Sequence, residues 1–236
     1  MKIFVVFGSK SDEPTYLPLA EALSKDFEVE CESISAHREI QKLEKKMAEW
    51  KGHAVVAGAG LAAALPGVVA AMTPLPVFGV PVPSQFGGLD SFASIAQMPP
   101  GVPVMTAGPA STQPVVAFLK QFKAWKKAKA VHFVVPDHTP AMMVEVEKAK
   151  TLGADKGIPV TVSDRKSAEA LNVWMVARPE HIHKDDFGLH VPFLPKERIA
   201  DPAAYLPVMN WANKGGLWVG VNNTRNAVMS ALRLAL

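Results

Sequence analysis

IFVVFGSKSD, residues 3–12, decides the reading of this chain. Five apolar residues in a row stop at a glycine, and a serine-rich turn ending in an aspartate precedes a helical pattern. An apolar run without alternation is what a strand buried on both faces of a parallel sheet needs. The same grammar recurs twice. FEVECES (27–33) leads into SAHR (35–38), and HAVV (53–56) leads into AGAGLAAALPG (57–67). Each strand-like segment hands over to a helix-like one, which argues for an open α/β sheet with both faces covered. Ligands of such sheets bind at the carboxyl ends of the strands. The three loops therefore converge on one pocket and bring hydroxyls, a carboxylate, a histidine, an arginine and close backbone amides. That inventory suits a phosphorylated small molecule that needs a proton moved.

Working outward, residues 14–25 show helical spacing through Leu17, Ala20 and Leu23. Residues 38–50 read as a charged amphipathic helix and 60–72 as an alanine-rich one. VFGV (77–80) and VPVMTA (102–107) read as strands, and 90–97 and 113–126 as helices. The second half restarts the plan with AVHFVVP (130–136), a helix over 140–152, and strands at IPVTVS (158–163) and NVWMVA (172–177). Residues 78–98 and 189–209 align without a gap, sharing Val80/Val191, Pro81/Pro192, Asp90/Asp201, Ala93/Ala204 and Met98/Met209. A fixed-offset repeat is the mark of a duplicated unit. The fold expected is a flavodoxin-like parallel sheet in three layers, helices on both faces, present twice. Residues 1–126 form the catalytic copy and 127–236 a degenerate, structural copy that lacks the second helix. The join falls near the lysine-rich KQFKAWKKAK (120–129).

Composition limits the function classes. With 49% hydrophobic and 20% charged residues in 236, the chain has an ordinary globular core. A net charge of +3 with no basic stripe gives no nucleic-acid footprint. The lone Cys31 leaves no internal disulfide and fits a reducing compartment. The opening MKIFVVFGSKSD is not a signal peptide, and no run of about 18 apolar residues suggests a membrane span. A cytoplasmic protein is expected, with no membrane or nucleic-acid partner.

In GSKSD, Gly8 makes the turn, and Ser9 and Ser11 offer hydroxyls to a phosphate alongside the amides that open the following helix. Asp12, acceptor-only when ionised, suits ribose hydroxyls. Taken alone, Ser and Asp here also read as an ordinary helix cap. In Ser35-Ala36-His37-Arg38, the planar guanidinium suits a phosphate, and the imidazole gives and takes a proton near neutral pH. Gly58 and Gly60 sit where backbone approaches a ligand closely. His181 and His183 suggest a metal pair, but no third ligand stands out, and no metal is expected.

Residues 1–120 resemble the PurE family, the carboxyaminoimidazole ribonucleotide mutases and aminoimidazole ribonucleotide carboxylases of purine biosynthesis. The resemblance rests on GSKSD, SAHR, AGAG-x-AA-x-LPG, TPLPVFGVPV (73–82) and LDSFASIAQMPPGVPV (89–104), in the family's order and spacing. The second half is similar mainly in VNNTRNAVMSALRLA (221–235), which resembles the family's closing loop and helix.

The resemblance implies carboxyl transfer to carbon 4 of an aminoimidazole ribonucleotide, with carbon dioxide as the group confined and no cofactor. His37 would move the carbon 4 proton. Gly8, Ser9, Ser11, Asp12, Ser35, Ala36, Arg38, Gly58, Ala59, Gly60, Ala64 and Leu65 would bind the substrate. The family usually carries histidine where Ala64 stands, which leaves open a changed heterocycle, or a second-copy residue such as His138 or Asn222 in its place. A non-catalytic nucleotide-binding role is the remaining class. PDHTP (136–140) and SDRK (163–166) replace the two polar loops in the second copy, so no independent site is expected there. The loop 83–91, with Gly87 and Gly88, is a candidate cover for the pocket. The family's octamers imply a homotetramer of this duplicated chain, a pseudo-octamer.

Overall fold

The computed structural model describes residues 1–125 and 130–235. The first half runs β1 (Lys2–Phe7), α1 (Glu13–Ser24), β2 (Glu28–Ser33), α2 (Ile40–Glu49), β3 (Ala54–Ala59), α3 (Leu65–Met72), β4 (Val77–Pro81), α4 (Leu89–Ala96), β5 (Met105–Thr106) and α5 (Gln113–Ala124). The second runs β6 (Val131–Val134), α6 (Pro140–Lys156), β7 (Val160–Ser163), β8 (Leu171–Val176), β9 (Gly188–Pro192), α7 (Leu206–Ala212), β10 (Leu217–Trp218) and α8 (Thr224–Ala235).

The ten strands of the described residues join one sheet in the order β2-β1-β3-β4-β5-β10-β9-β8-β6-β7. The strand order of the second half repeats that of the first, reversed about the central pair. Pairings are parallel within each half, and only β5–β10 is antiparallel, with Trp218 opposite Thr106. The carboxyl ends of β1–β4 and of β6–β9 therefore open on opposite edges of the sheet. Local bonding corresponds too. Ala107 and Val219 amides donate to Gly79 and His190 carbonyls, and Ala110 and Asn222, both at positive φ, donate to Pro81 and Pro192 carbonyls.

An apolar layer runs unbroken along one face. It joins Leu19 and Leu23 of α1, Phe118 and Leu119 of α5, Val146 of α6 and Leu234 of α8 to inward residues of strands from both halves. On the other face, Leu43 and Met47 of α2 and Val69 of α3 cover the first half. The second half has no helix over 164–170 and only a 3-10 turn, Pro179–His181, after β8. That face is closed by an aromatic column, in which His183 stacks on Trp174, Trp174 on His190 and His190 on Trp218, and Val208 and Trp211 of α7 join the same buried cluster. Polar groups there are met at short range. His132 bonds Thr161 and Ser163, and Asn172 bonds the backbone of Ser167.

The edge strand β2 carries Glu30 and Glu32, which Lys46 of α2 reaches, while Lys42 pairs with Glu32. A charged edge of this kind discourages pairing with another sheet. α8 also crosses the seam between halves. Asn223 and Asn226 donate to the Met98 carbonyl at 2.8 and 3.3 Å, and Asn226 accepts from the Gly101 amide at 2.8 Å. Arg233 donates to the Ala70 carbonyl at the end of α3 at 2.9 Å.

Two expected elements are shorter in the structure. The helix read over 60–72 begins only at Leu65, because Gly60 to Ala64 turn through Leu61 at φ 52°. The strand read over 102–107 keeps only Met105–Thr106, since Pro103 has no amide to give a ladder. The junction expected at 126/127, and the tail of the 113–126 helix, involve residues 126–129, outside the described residues.

Candidate active site

β1, β2 and β3 end side by side, and their loops border one cleft of about 1000 Å³. Each loop is fixed by its own backbone chemistry. After β1, the Gly8 amide donates to the Gly58 carbonyl at 3.0 Å, tying the first loop to the third. Ser9 caps the turn that opens α1, its Oγ accepting from the Ser11 amide at 3.2 Å and lying 2.7 Å from Ser11 Oγ. Asp12 is buried beneath them and accepts from Ser11 Oγ at 3.4 Å. Burial pushes the Asp12 carboxyl above its ordinary value, and the bonds from Ser11 and Ser9 oppose that rise. The cap reading and the ligand reading of these residues are compatible, because one Ser9 lone pair serves the turn and the hydroxyls still border the cleft.

After β2, the SAHR loop is clipped by Glu39. Its Oε2 accepts from the Ser35 amide at 3.0 Å, and its own amide returns a bond to the Ser35 carbonyl at 2.8 Å. Arg38 Nε donates to Ser35 Oγ at 3.4 Å. His37 and Arg38 are exposed and line the cleft. That third wall follows β3 and carries no polar side chain from Ala59 to Leu65.

Of the residues expected from the three loops to bind or act on the substrate, all but Gly58 line this cleft. Gly58 lies within β3, where a Cβ would stand 2.2 Å from Phe7 Cε1. Its missing side chain makes room for the Phe7 ring, and its carbonyl holds Gly8, so it supports the cleft from behind. Val82, Pro83, Ser84 and Gln85, which the sequence reading did not name as site residues, form a fourth wall after β4. The signal available was topological, since this loop leaves a carboxyl end of the same sheet. A second recess of about 650 Å³ shares Gly8, Ser9, Ser35 and Arg38 and adds Lys10 and Lys42. Glu39 lines it beside these cations.

His138 and Asn222 stand elsewhere. Both belong to the half whose strands open on the opposite edge, and Asn222 is committed to the Leu194 backbone at 2.7 and 3.0 Å. At the loops of the second half that correspond to the cleft, Arg178 Nη2 pairs with Asp137 Oδ1 at 2.5 Å and lies 3.3 Å from buried His181. Among the described residues, no three His, Cys, Asp or Glu side chains gather as metal ligands would. No helix of the described residues is long and apolar enough to cross a membrane.

A family model described as AIR carboxylase matches residues 2–132. An N5-carboxyaminoimidazole ribonucleotide mutase of Pyrococcus abyssi is 50% identical over 113 residues, covering 45% of this chain and 64% of the relative. One from Saccharolobus solfataricus is 49% identical over 111 residues, covering 44% and 70%. A bifunctional purine synthesis protein purC/E of Dictyostelium discoideum is 49% identical over 107 residues, covering 43% of this chain and 11% of that protein. The chain thus spans somewhat under two thirds of the Pyrococcus relative's length.

Proposed function

The chain belongs to the AIR carboxylase family, and we propose on that premise that it is a purine-biosynthesis enzyme forming 4-carboxy-5-aminoimidazole ribonucleotide. The carboxyl group comes from carboxyaminoimidazole ribonucleotide in a mutase, an isomerase, or from carbon dioxide added to aminoimidazole ribonucleotide in a carboxylase, a lyase. The observation that carries the reading is the meeting of Ser9, Ser11, Asp12, His37 and Arg38 around one cleft. Ser9, Ser11 and Arg38 supply donors for a phosphate, and buried Asp12 supplies an acceptor for ribose hydroxyls.

In the mutase direction, the bond from the exocyclic nitrogen to the carboxyl carbon breaks, the nitrogen gains a proton from the His37 imidazolium, which the carbon 4 proton later restores, and carbon dioxide is held in the cleft. Carbon 4 attacks it, and His37 takes the carbon 4 proton so that the ring regains aromaticity. Holding carbon dioxide beside carbon 4 removes the entropic cost of bringing them together.

We also read the chain as a tandem duplication, with 1–126 as the catalytic part and 127–236 as a structural copy, supported by the mirrored strand order and the matching bonds of Ala110 and Asn222. A cytoplasmic homotetramer completes the proposal. The apolar wall at Ala64 favours one second reading, carboxyl chemistry on a different phosphorylated heterocycle.

The test is turnover of carboxyaminoimidazole ribonucleotide and, separately, of aminoimidazole ribonucleotide with bicarbonate. Product from the first identifies a mutase, and product only from the second a carboxylase. No product from either, with a folded protein, rejects the proposal in favour of the second reading.

A further inference from the structure

We infer that the Gln85 carboxamide is the group that hydrogen-bonds the carboxylate being transferred. This rests on the reading above that the cleft takes a carboxylated ribonucleotide. A carboxylate moving between nitrogen and carbon needs donors on the side where it travels, because an unpaired anionic oxygen in a closed cleft is strongly disfavoured. Ser9, Ser11 and Arg38 are gathered on the flank of the first and second loops. The third wall, from Ala59 to Leu65, has no donor side chain at all.

The fourth wall adjoins the third. A Cβ built on Gly60 would stand 3.7 Å from Ser84 Cβ and 3.2 Å from the Val82 carbonyl oxygen, so the loop after β4 lies directly against the apolar loop after β3. The Val82 amide donates to the Ala59 carbonyl at 3.0 Å and locks the two together. Ser84 and Gln85 are the polar side chains this wall brings to the cleft.

The backbone at Gln85 is fixed. Its main-chain amide donates to Ser84 Oγ at 2.6 Å and its main-chain carbonyl accepts from the Gly88 amide at 3.0 Å. Ser91, fully buried, donates to the carbonyls of both Val82 and Gly88 at 3.2 and 3.1 Å, clamping the two ends of the loop. Phe86, Gly87 and Gly88 all adopt positive φ, at 52°, 64° and 85°, which folds the chain back sharply behind Gln85. For Phe86, a non-glycine residue 76% exposed, that backbone is strained, and such strain persists where the surroundings impose it, often at ligand sites. Ser84 Oγ already serves the Gln85 amide. Among the described residues, the Gln85 carboxamide has no partner, and its two N–H donors remain for a ligand.

The experiment compares wild type, Gln85→Ala and Gln85→Glu. Binding of aminoimidazole ribonucleotide is measured by calorimetry, and kcat/KM is measured with carboxyaminoimidazole ribonucleotide. Gln85→Ala is expected to bind the uncarboxylated nucleotide within about twofold of wild type, while kcat/KM for the carboxylated one falls roughly 10- to 100-fold, the range for a lost hydrogen bond to a charged group. Gln85→Glu, which sets like charge against the carboxylate, is expected to fall further still. Unchanged kcat/KM in Gln85→Ala overturns the inference, as does an equal loss with both nucleotides, which would make Gln85 a loop-building residue. If wild type itself binds neither nucleotide, the functional reading fails first, and that failure is visible before any substitution is made.

Discussion

His190 is fully buried between Trp174 and Trp218, and its two ring nitrogens define its protonation state. Nε2 accepts from the His183 amide at 3.2 Å, so the proton sits on Nδ1, which donates to the Leu217 carbonyl at 3.1 Å. Burial pushes the imidazole from 6.5 down to about 4, against the partial support of the Leu217 bond. Between those values the unfolded chain binds the proton that the folded chain refuses. The stabilising contribution is therefore complete above about pH 6.5 and is lost as pH falls toward 4, with a magnitude on the order of 3 kcal/mol. Denaturant unfolding of wild type is expected to show that decline. His190→Phe keeps the stacking, starts less stable at pH 7 because two bonds are gone, and shows a flatter pH dependence. Identical slopes would mean that acid sensitivity arises elsewhere. None of this was legible in the sequence. A lone histidine in GLHVP carries no pattern, and its role depends on tryptophans that only the fold brings to either side of it.

Among elements, α8 is tied to the first half by side-chain hydrogen bonds. Asn226 is buried, gives bonds to the Met98 and Pro99 carbonyls and takes one from Gly101, so it satisfies a connection between α4 and β5 that has no helix or strand to do so. Asn226→Ala removes these bonds, at about 0.5–1.5 kcal/mol each, and takes the side-chain partner from the Gly101 amide, while Asn223 still bonds the Met98 carbonyl and the Val102 amide the Pro99 carbonyl. Equilibrium unfolding should register a loss of at least that size, whereas Asn223→Ala, at a more open position, should lose less. The Asn-Ala step in VNNTRNAVMSALRLA was visible in sequence as a similarity to a closing helix. That its side chains would reach Met98 and Ala70 was not, because bonds spanning more than a hundred residues leave no local trace. The reverse holds for β1 and β3. Their unbroken apolar runs predicted double burial, and both strands are buried along nearly their whole length. The segment 60–64 misled for a physical reason. Alanines favour helix, but Gly60 and the bend at Leu61 keep this stretch open as a cleft wall.

At the scale of the molecule, one sheet carries two sets of strand ends on opposite edges, and the two edges have different fates. On one, the first three loops present serines, Asp12, His37 and Arg38 to a cleft. On the other, Arg178, Asp137 and His181 are spent on each other. Loop chemistry, not fold, separates them, as expected where one scaffold carries different sites. This is also why so much of the cleft could be read from GSKSD, SAHR and AGAGLAAALPG. Each motif sits at a strand end, and the strand order alone brings those ends together. The loop 83–91 reads from the sequence as a candidate cover, but its residues are not named there as site residues, because PSQFGG has no motif, only a position. The central claim is that His37 carries the proton in this cleft. The measurement that tests it most directly is the rate at which His37→Asn converts carboxyaminoimidazole ribonucleotide, set beside wild type. The account predicts a kcat at least about 100-fold lower, the scale of general acid–base catalysis, with KM changed only a few-fold. An unchanged kcat would contradict it.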